Sequence, residues 1–121
     1  MTLKTMEPNP AWDPDSYPDV VDAFAALDDE TTVRVWGADW CGDCRGQLPD
    51  FAAALEAADV ENVEQYPVER EDGEKVGPKV EEYGVDLIPT IVVERDGEEL
   101  ARFVEAERVE AAVYLADQLQ D

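Results

Sequence analysis

Histidine is missing from this 121-residue chain, and cysteine occurs only twice. A structural zinc site normally takes four Cys or His ligands, so a closed zinc site within one chain is excluded. Cations are scarce: nine Lys and Arg face thirty-one Asp and Glu, only Lys4, Lys75 and Lys79 are lysines, and the formal net charge is -22. A chain with no basic patch repels phosphate backbones, which excludes nucleic acid as a partner. No apolar run approaches the roughly 20 residues of a membrane-spanning helix. The start has one lysine and no apolar stretch before Pro8, so no secretory leader and no membrane contact are expected, and a cytoplasmic location follows.

The carboxylates are spread over every segment, and apolar residues recur at regular spacing between them. Disordered chains lack that recurrence. The length corresponds to one domain, able to bury about two thirds of its unfolded surface. An acidic, lysine-poor surface on a foldable pattern resembles proteins of salt-loving organisms, whose saline cytoplasm screens the repulsion.

Residues 1–18 hold Pro8, Pro10, Pro14 and Pro18 among polar residues. They read as an N-terminal extension packed on or near the domain, with nothing more regular than a short edge strand. Trp12 and Tyr17 are expected to lie across the surface. Residues 19–121 form a single domain. A helix follows Asp19, its candidate N-cap, with Val20, Val21, Phe24 and Leu27 as its buried stripe. Thr31 to Ala38 reads as a central strand, on which Arg34 implies a half-covered face. Gln47 to Ala58 is a helix interrupted by Pro49, and Asn62 to Val68 a short strand followed by a charged loop, Glu69 to Lys75. Gly77-Pro78 marks a helix start with Val80 and Tyr83 buried, and Gly84 its left-handed cap. Leu87 to Glu94 and Glu99 to Val104 pair through an Asp96-Gly97 turn. The last helix runs from near Glu107 to Leu119, burying Val109, Ala112, Val113, Ala116 and Leu119. The order α-β-α-β-α-β-β-α predicts an α/β fold with a mixed sheet covered by helices on both faces.

Trp40-Cys41-Gly42-Asp43-Cys44 holds both cysteines at a strand-to-helix junction. Thiols spaced C-x-x-C there read as a redox couple, because the unpaired N–H groups of a first helical turn favour a thiolate. An inert disulfide usually closes a longer loop, since a short one removes little unfolded-state entropy. Ile88-Pro89-Thr90 is the second informative stretch. A proline is tolerable as the first residue of a strand. With a cis bond it would instead set a tight turn able to hold an extended substrate by backbone pairing.

Together, the Trp40–Cys44 motif, Pro49 five residues after the second cysteine, Tyr83-Gly84-Val85, Ile88-Pro89-Thr90 and the Asp96-Gly97 hairpin resemble the thioredoxin family, from about Ala23 to the C-terminus. The resemblance implies a thioredoxin-like fold with Pro89 as a cis-proline before the third main strand. It also implies Cys41 as nucleophile, Cys44 as resolving thiol and Pro89 as the residue positioning substrate. Trp40, Gly42, Asp43, Pro49, Ile88 and Thr90 are the supporting residues. Thiol–disulfide exchange with protein disulfides is the implied activity, with a thioredoxin-reductase-type electron donor as second partner, no cofactor and a monomeric chain. A redox-sensing or protein-interaction module on the same scaffold, or a dedicated electron donor to one reductase or peroxidase, is the alternative.

Four departures from the family pattern bear on mechanism. Val35 stands where the buried aspartate falls, six residues before the first cysteine, and its usual lysine partner has no match near Gln65 and Tyr66. Losing both leaves neither buried alone. Proton transfer is then slower, or is taken over by water, Asp39 or Asp43. Asp43 replaces the proline between the cysteines, and the glycine of the last strand falls near Glu105. In the first turn the Asp43 carboxylate suits the helix dipole but opposes a thiolate on Cys41, which favours a reducing couple. Arg45 offsets part of this if it folds back.

Overall fold

A computed structural model describes residues 4–71, 74–77, 79–85, 87–104 and 111–120. In chain order the elements are α1 (Pro18–Ala25), β1 (Thr31–Gly37), α2 (Gly42–Ala57), β2 (Val63–Pro67), β3 (Glu69–Glu71), β4 (Glu74–Val76), α3 (Val80–Tyr83), β5 (Thr90–Arg95), β6 (Glu98–Val104) and α4 (Ala111–Gln120). β2 runs parallel to β1, and β5 and β6 follow antiparallel, giving a mixed sheet in the order β2-β1-β5-β6.

Alternation along the strands decides what each face buries. Val35 lies opposite Ile91, and Ile91 opposite Phe103. The Phe103 ring meets Tyr114 of α4 edge-on at 5.8 Å. This face is covered by α1, α2 and α4, which also pack on one another. Phe24 of α1 meets Phe51 of α2 edge-on at 5.8 Å, and both rings are fully buried. Truncating Phe51 to alanine is expected to cost about 3–5 kcal/mol, read as a lower urea midpoint.

The opposite face carries Arg34 and Trp36, with α3 laid over it. Trp36 packs against Tyr66 at 4.8 Å and Tyr83 at 5.0 Å. Beside them the Arg34 guanidinium donates to Glu64, Glu94 and the Tyr66 hydroxyl, while Tyr83 donates to Glu94. The half-covered face anticipated at Arg34 is thus a belt of paired charges and phenols. Burial, and then the bond to Glu64, push the Tyr66 phenol up to about 12. Burial and Glu94 raise Tyr83 as well. The native state therefore keeps these protons above a pH of about 10, where an unfolded chain releases them. Stability is accordingly expected to fall as pH rises from about 10 to about 12. Tyr66→Phe should reduce that slope in an alkaline unfolding series.

Several local expectations are corrected. Tyr17, not Asp19, caps α1, because Pro18 takes the first helical position where its missing N–H is harmless. Val21 is only half-buried, and Leu27 packs on the core from beyond the helix end. The charged stretch after Val68 is a two-stranded hairpin, β3 with β4. The short helix α3 begins at Val80, behind a left-handed Lys79 (φ 60). Pro78 lies outside the described residues. Gly84 does close α3 in the left-handed region (φ 64), and Asp96 (φ 51) with Gly97 (φ 83) make the hairpin turn. In α4, Leu115 is fully buried where the spacing does not single it out. Positions 105–110, with the expected helix start and Val109, lie outside the described residues, as do the side chains of Ala112 and Val113.

Among the described residues the N-terminal segment forms no strand. It is a strap of two 3-10 turns, Lys4–Met6 and Pro14–Ser16. The strap crosses α2: Asn9 donates its N–H to Pro49 O at 3.0 Å and its Nδ2 to Asp50 at 2.8 Å, and Met6 is buried. Trp12 stacks on Tyr17 at 5.2 Å. At the outer edge of β2, the Val63 N–H is taken by Glu61 O, and Pro67 has no N–H. At the β6 edge, Gln118 of α4 accepts from the Arg102 N–H at 3.0 Å.

Candidate active site

β1 delivers the chain to Ala38, and a turn closed by Cys41 N–H to Ala38 O leads into α2. Cys41 is the N-cap of that helix, in extended conformation (φ -88, ψ 121). Its Sγ accepts the Cys44 N–H at 3.3 Å, so the sulfur occupies the place a capping oxygen usually takes. There it faces the N–H end of the helix's aligned peptide dipoles. Neither cysteine is bridged in this structure. Cys41 is 8% exposed and Cys44 fully buried, so an incoming disulfide reaches Cys41 first.

The turn before β5 faces this sulfur. The Ile88–Pro89 bond is cis, and the Cys41 thiol points at Ile88 O at 3.8 Å. Thr90 is buried and donates its hydroxyl to Leu87 O, closing the turn from the other side. Trp40 stands 43% exposed next to Cys41, and Leu87 38% exposed beside Ile88. The indole is held by its N–H to Val68 O at 3.2 Å, an anchor that sequence spacing does not reveal because Val68 lies 28 positions away.

The remaining candidates divide. Gly42 is exposed, and an added Cβ there meets nothing within 4 Å. The same holds for Gly46, which sits in the helix interior where glycine costs entropy. Gly46→Ala is therefore expected to raise stability by about 0.5–1 kcal/mol without altering turnover, checked by thermal melts and the disulfide-reduction assay. Pro49 lies inside α2 as expected, with the strap bonded to its carbonyl. The Asp43 side chain lies outside the described atoms. Val35 is fully buried between Gln65 and Ile91 in the sheet register, so that slot holds no titratable group. Asp39 accepts the Thr5 N–H from the strap at 3.1 Å. Arg45 does fold back, reaching Asp39 O at 3.4 Å. The position near Glu105 lies outside the described residues.

A helix-capping dithiol opposite a cis-proline, on a mixed sheet flanked by helices, defines a thioredoxin-fold protein. The thioredoxin family model matches residues 15–118, and the chain belongs to the thioredoxin family. Similar solved structures include mitochondrial thioredoxin 3 from Saccharomyces cerevisiae in its oxidised form, at 19% identity and TM-score 0.55, covering 86% of this chain and 88% of that one. A mutant thioredoxin from Halobacterium salinarum NRC-1 is similar at 24% identity and TM-score 0.53, covering 99% and 94%. A Pseudomonas aeruginosa protein of unknown function, PA1234, is similar at 19% identity and TM-score 0.53, covering 89% and 74%. At these identities the likeness carries the fold. No curated protein matches. Among the described residues no helix is long and apolar enough to cross a membrane.

Proposed function

We propose that the protein is a thiol–disulfide oxidoreductase that reduces protein disulfides through Cys41 and Cys44. The observation that carries this is the Cys41 sulfur capping α2, 3.3 Å from the Cys44 N–H, with Cys44 buried behind it. The Cys41 thiolate attacks one sulfur of the substrate disulfide, and the substrate S–S bond breaks as the mixed disulfide forms. The other substrate sulfur leaves as a thiolate and takes a proton. Cys44 then gives up its proton and attacks Cys41 Sγ, freeing the second substrate thiol. Two electrons have passed to the substrate, and the Cys41–Cys44 disulfide is left for a reductase-type donor to reopen.

Pro89 and the backbone at Ile88 position the substrate, and Trp40 with Leu87 offers it apolar surface. Proton transfer runs without a buried carboxylate in that slot, since Val35 fills it. Arg45, folded toward the start of α2, places a cation near the site that partly balances the carboxylates of the Cys41 loop. The acidic surface suits a saline cytoplasm, and the enzyme acts there as a monomer. The test is insulin disulfide reduction driven by dithiothreitol in high-salt buffer. Turnover that disappears in Cys41→Ser is the expected result. A disulfide that forms but never turns over would replace this reading with a redox switch.

A further inference from the structure

We infer that the groove between the strap, the second half of α2 and β2 docks a partner protein through a segment pairing a large apolar side chain with a neighbouring lysine or arginine. The groove encloses about 310 Å³. Its floor is apolar, with Leu55 nearly buried and Val60 and Val63 half-buried. Its rim carries the exposed carboxylates Glu56, Asp59 and Glu61. No cationic residue is among its described lining residues. A second cleft of about 130 Å³ lies directly beyond and shares Asp59, Val60 and Glu61. Asp59 and Glu61 thus stand on the ridge between the two cavities, and Glu56 on the rim of the larger alone, each one step from an apolar hole. A carboxylate rim alone would attract any cation from solution. Joined to an apolar floor, it selects a cation attached to an apolar neighbour.

The chemistry of the β2 edge narrows the mode of binding. Strand addition needs a row of free donors and acceptors. Here the Val63 N–H is already bonded to Glu61 O, and Pro67 supplies no donor. The occupant is therefore held by side chains in the groove rather than by a new backbone ladder. Glu56 follows Cys41 by fifteen positions, about 22 Å along α2 at roughly 1.5 Å per residue. A partner docked there leaves Cys41 open and raises the effective concentration of its own disulfide at the dithiol.

The probe is a blocked Leu-Lys-Leu-Arg peptide, compared with Ser-Lys-Ser-Arg and Leu-Glu-Leu-Glu controls, titrated into the labelled full chain in high-salt buffer. Backbone amide shifts are expected to centre on 55–63 and to saturate, with both controls about tenfold weaker or worse. The double variant Glu56→Lys/Glu61→Lys is expected to weaken the Leu-Lys peptide about tenfold and to leave insulin reduction unchanged. Equal binding of the Ser-Lys peptide would overturn the inference, leaving only bulk attraction to an acidic protein. Shifts centred on Trp40 and Leu87, or no saturable binding, would overturn it as well. So would binding that emerges only in a chain starting at Lys4, which would make the protein's own first three residues the occupant. These outcomes are independent of whether the dithiol turns over.

Discussion

Cys44→Ser is expected to convert the protein from a catalyst into a trap. With the resolving sulfur gone, Cys41 still attacks a substrate disulfide, but nothing behind it can displace the mixed disulfide. Turnover in the insulin assay should fall by at least about a thousandfold, the range seen when a nucleophilic unit is broken. Covalent adducts releasable by dithiothreitol should accumulate on Cys41. Serine is close to cysteine in size and keeps the backbone N–H on the Cys41 sulfur, so the fold is expected to persist, with a loss of about 1–3 kcal/mol where the hydroxyl meets the buried site without a partner. Non-reducing electrophoresis of the variant from a cell extract, followed by identification of the captured chains, would name the substrates. Adducts on a Cys41→Ser/Cys44→Ser control would instead mean that capture is not through the dithiol.

The second large effect concerns the slot that Val35 fills. Val35→Asp restores the acidic residue that the family pattern places there, yet it does so in a fully buried site between Gln65 and Ile91. An ionised carboxylate in such a place costs several kcal/mol unless it is paired. The variant is expected to lose on the order of 3–5 kcal/mol at neutral pH. Burial raises the carboxyl's folded-state pKa above its unfolded value of about 3.9. The native state therefore binds the extra proton, and the deficit grows as pH rises above about 4. Urea unfolding on the acidic and alkaline sides of neutrality reads this directly. A Val35→Asp protein as stable as the parent in mildly alkaline buffer would mean that the slot holds a partner for the charge. If instead turnover rises while stability falls, proton removal from Cys44 is a slow step in the parent.

Much of this is legible in the chain. The dithiol, the proline before β5 and the Asp96-Gly97 turn each carry their chemistry locally: spacing, a fixed φ, two left-handed residues. Their relation in space is legible only through the family resemblance, because no periodicity says that residue 88 lies against residue 41. What escapes are contacts between distant positions with no pattern of their own. Trp40 bonds to Val68, Asn9 to Pro49 and Asp50, and Asp39 to Thr5. The β3–β4 hairpin is hidden in a stretch whose charge density reads as loop, and Leu115 escapes because its neighbours match the helical stripe as well as it does. The strap reads as a proline-rich extension that would at most form a strand. Its second turn follows instead from Asp13 accepting its own chain's N–H at Asp15, which an extended strand does not allow.

The two sheet edges have a consequence for how such a protein stays dispersed. A net charge of -22 keeps copies apart in dilute buffer. At about 1 M salt the screening length shrinks to about 3 Å, and the repulsion is spent within a water layer. Protection against edge-to-edge pairing then has to come from groups that salt does not weaken. Pro67 without a donor, the Val63 amide turned into its own loop, and the Gln118 side chain closed over the Arg102 amide are all of that kind. In concentrated salt these three features, rather than the surface charge, are what would resist such pairing. Pro67→Thr or Gln118→Ala would therefore be expected to aggregate in concentrated salt before losing any thermal stability.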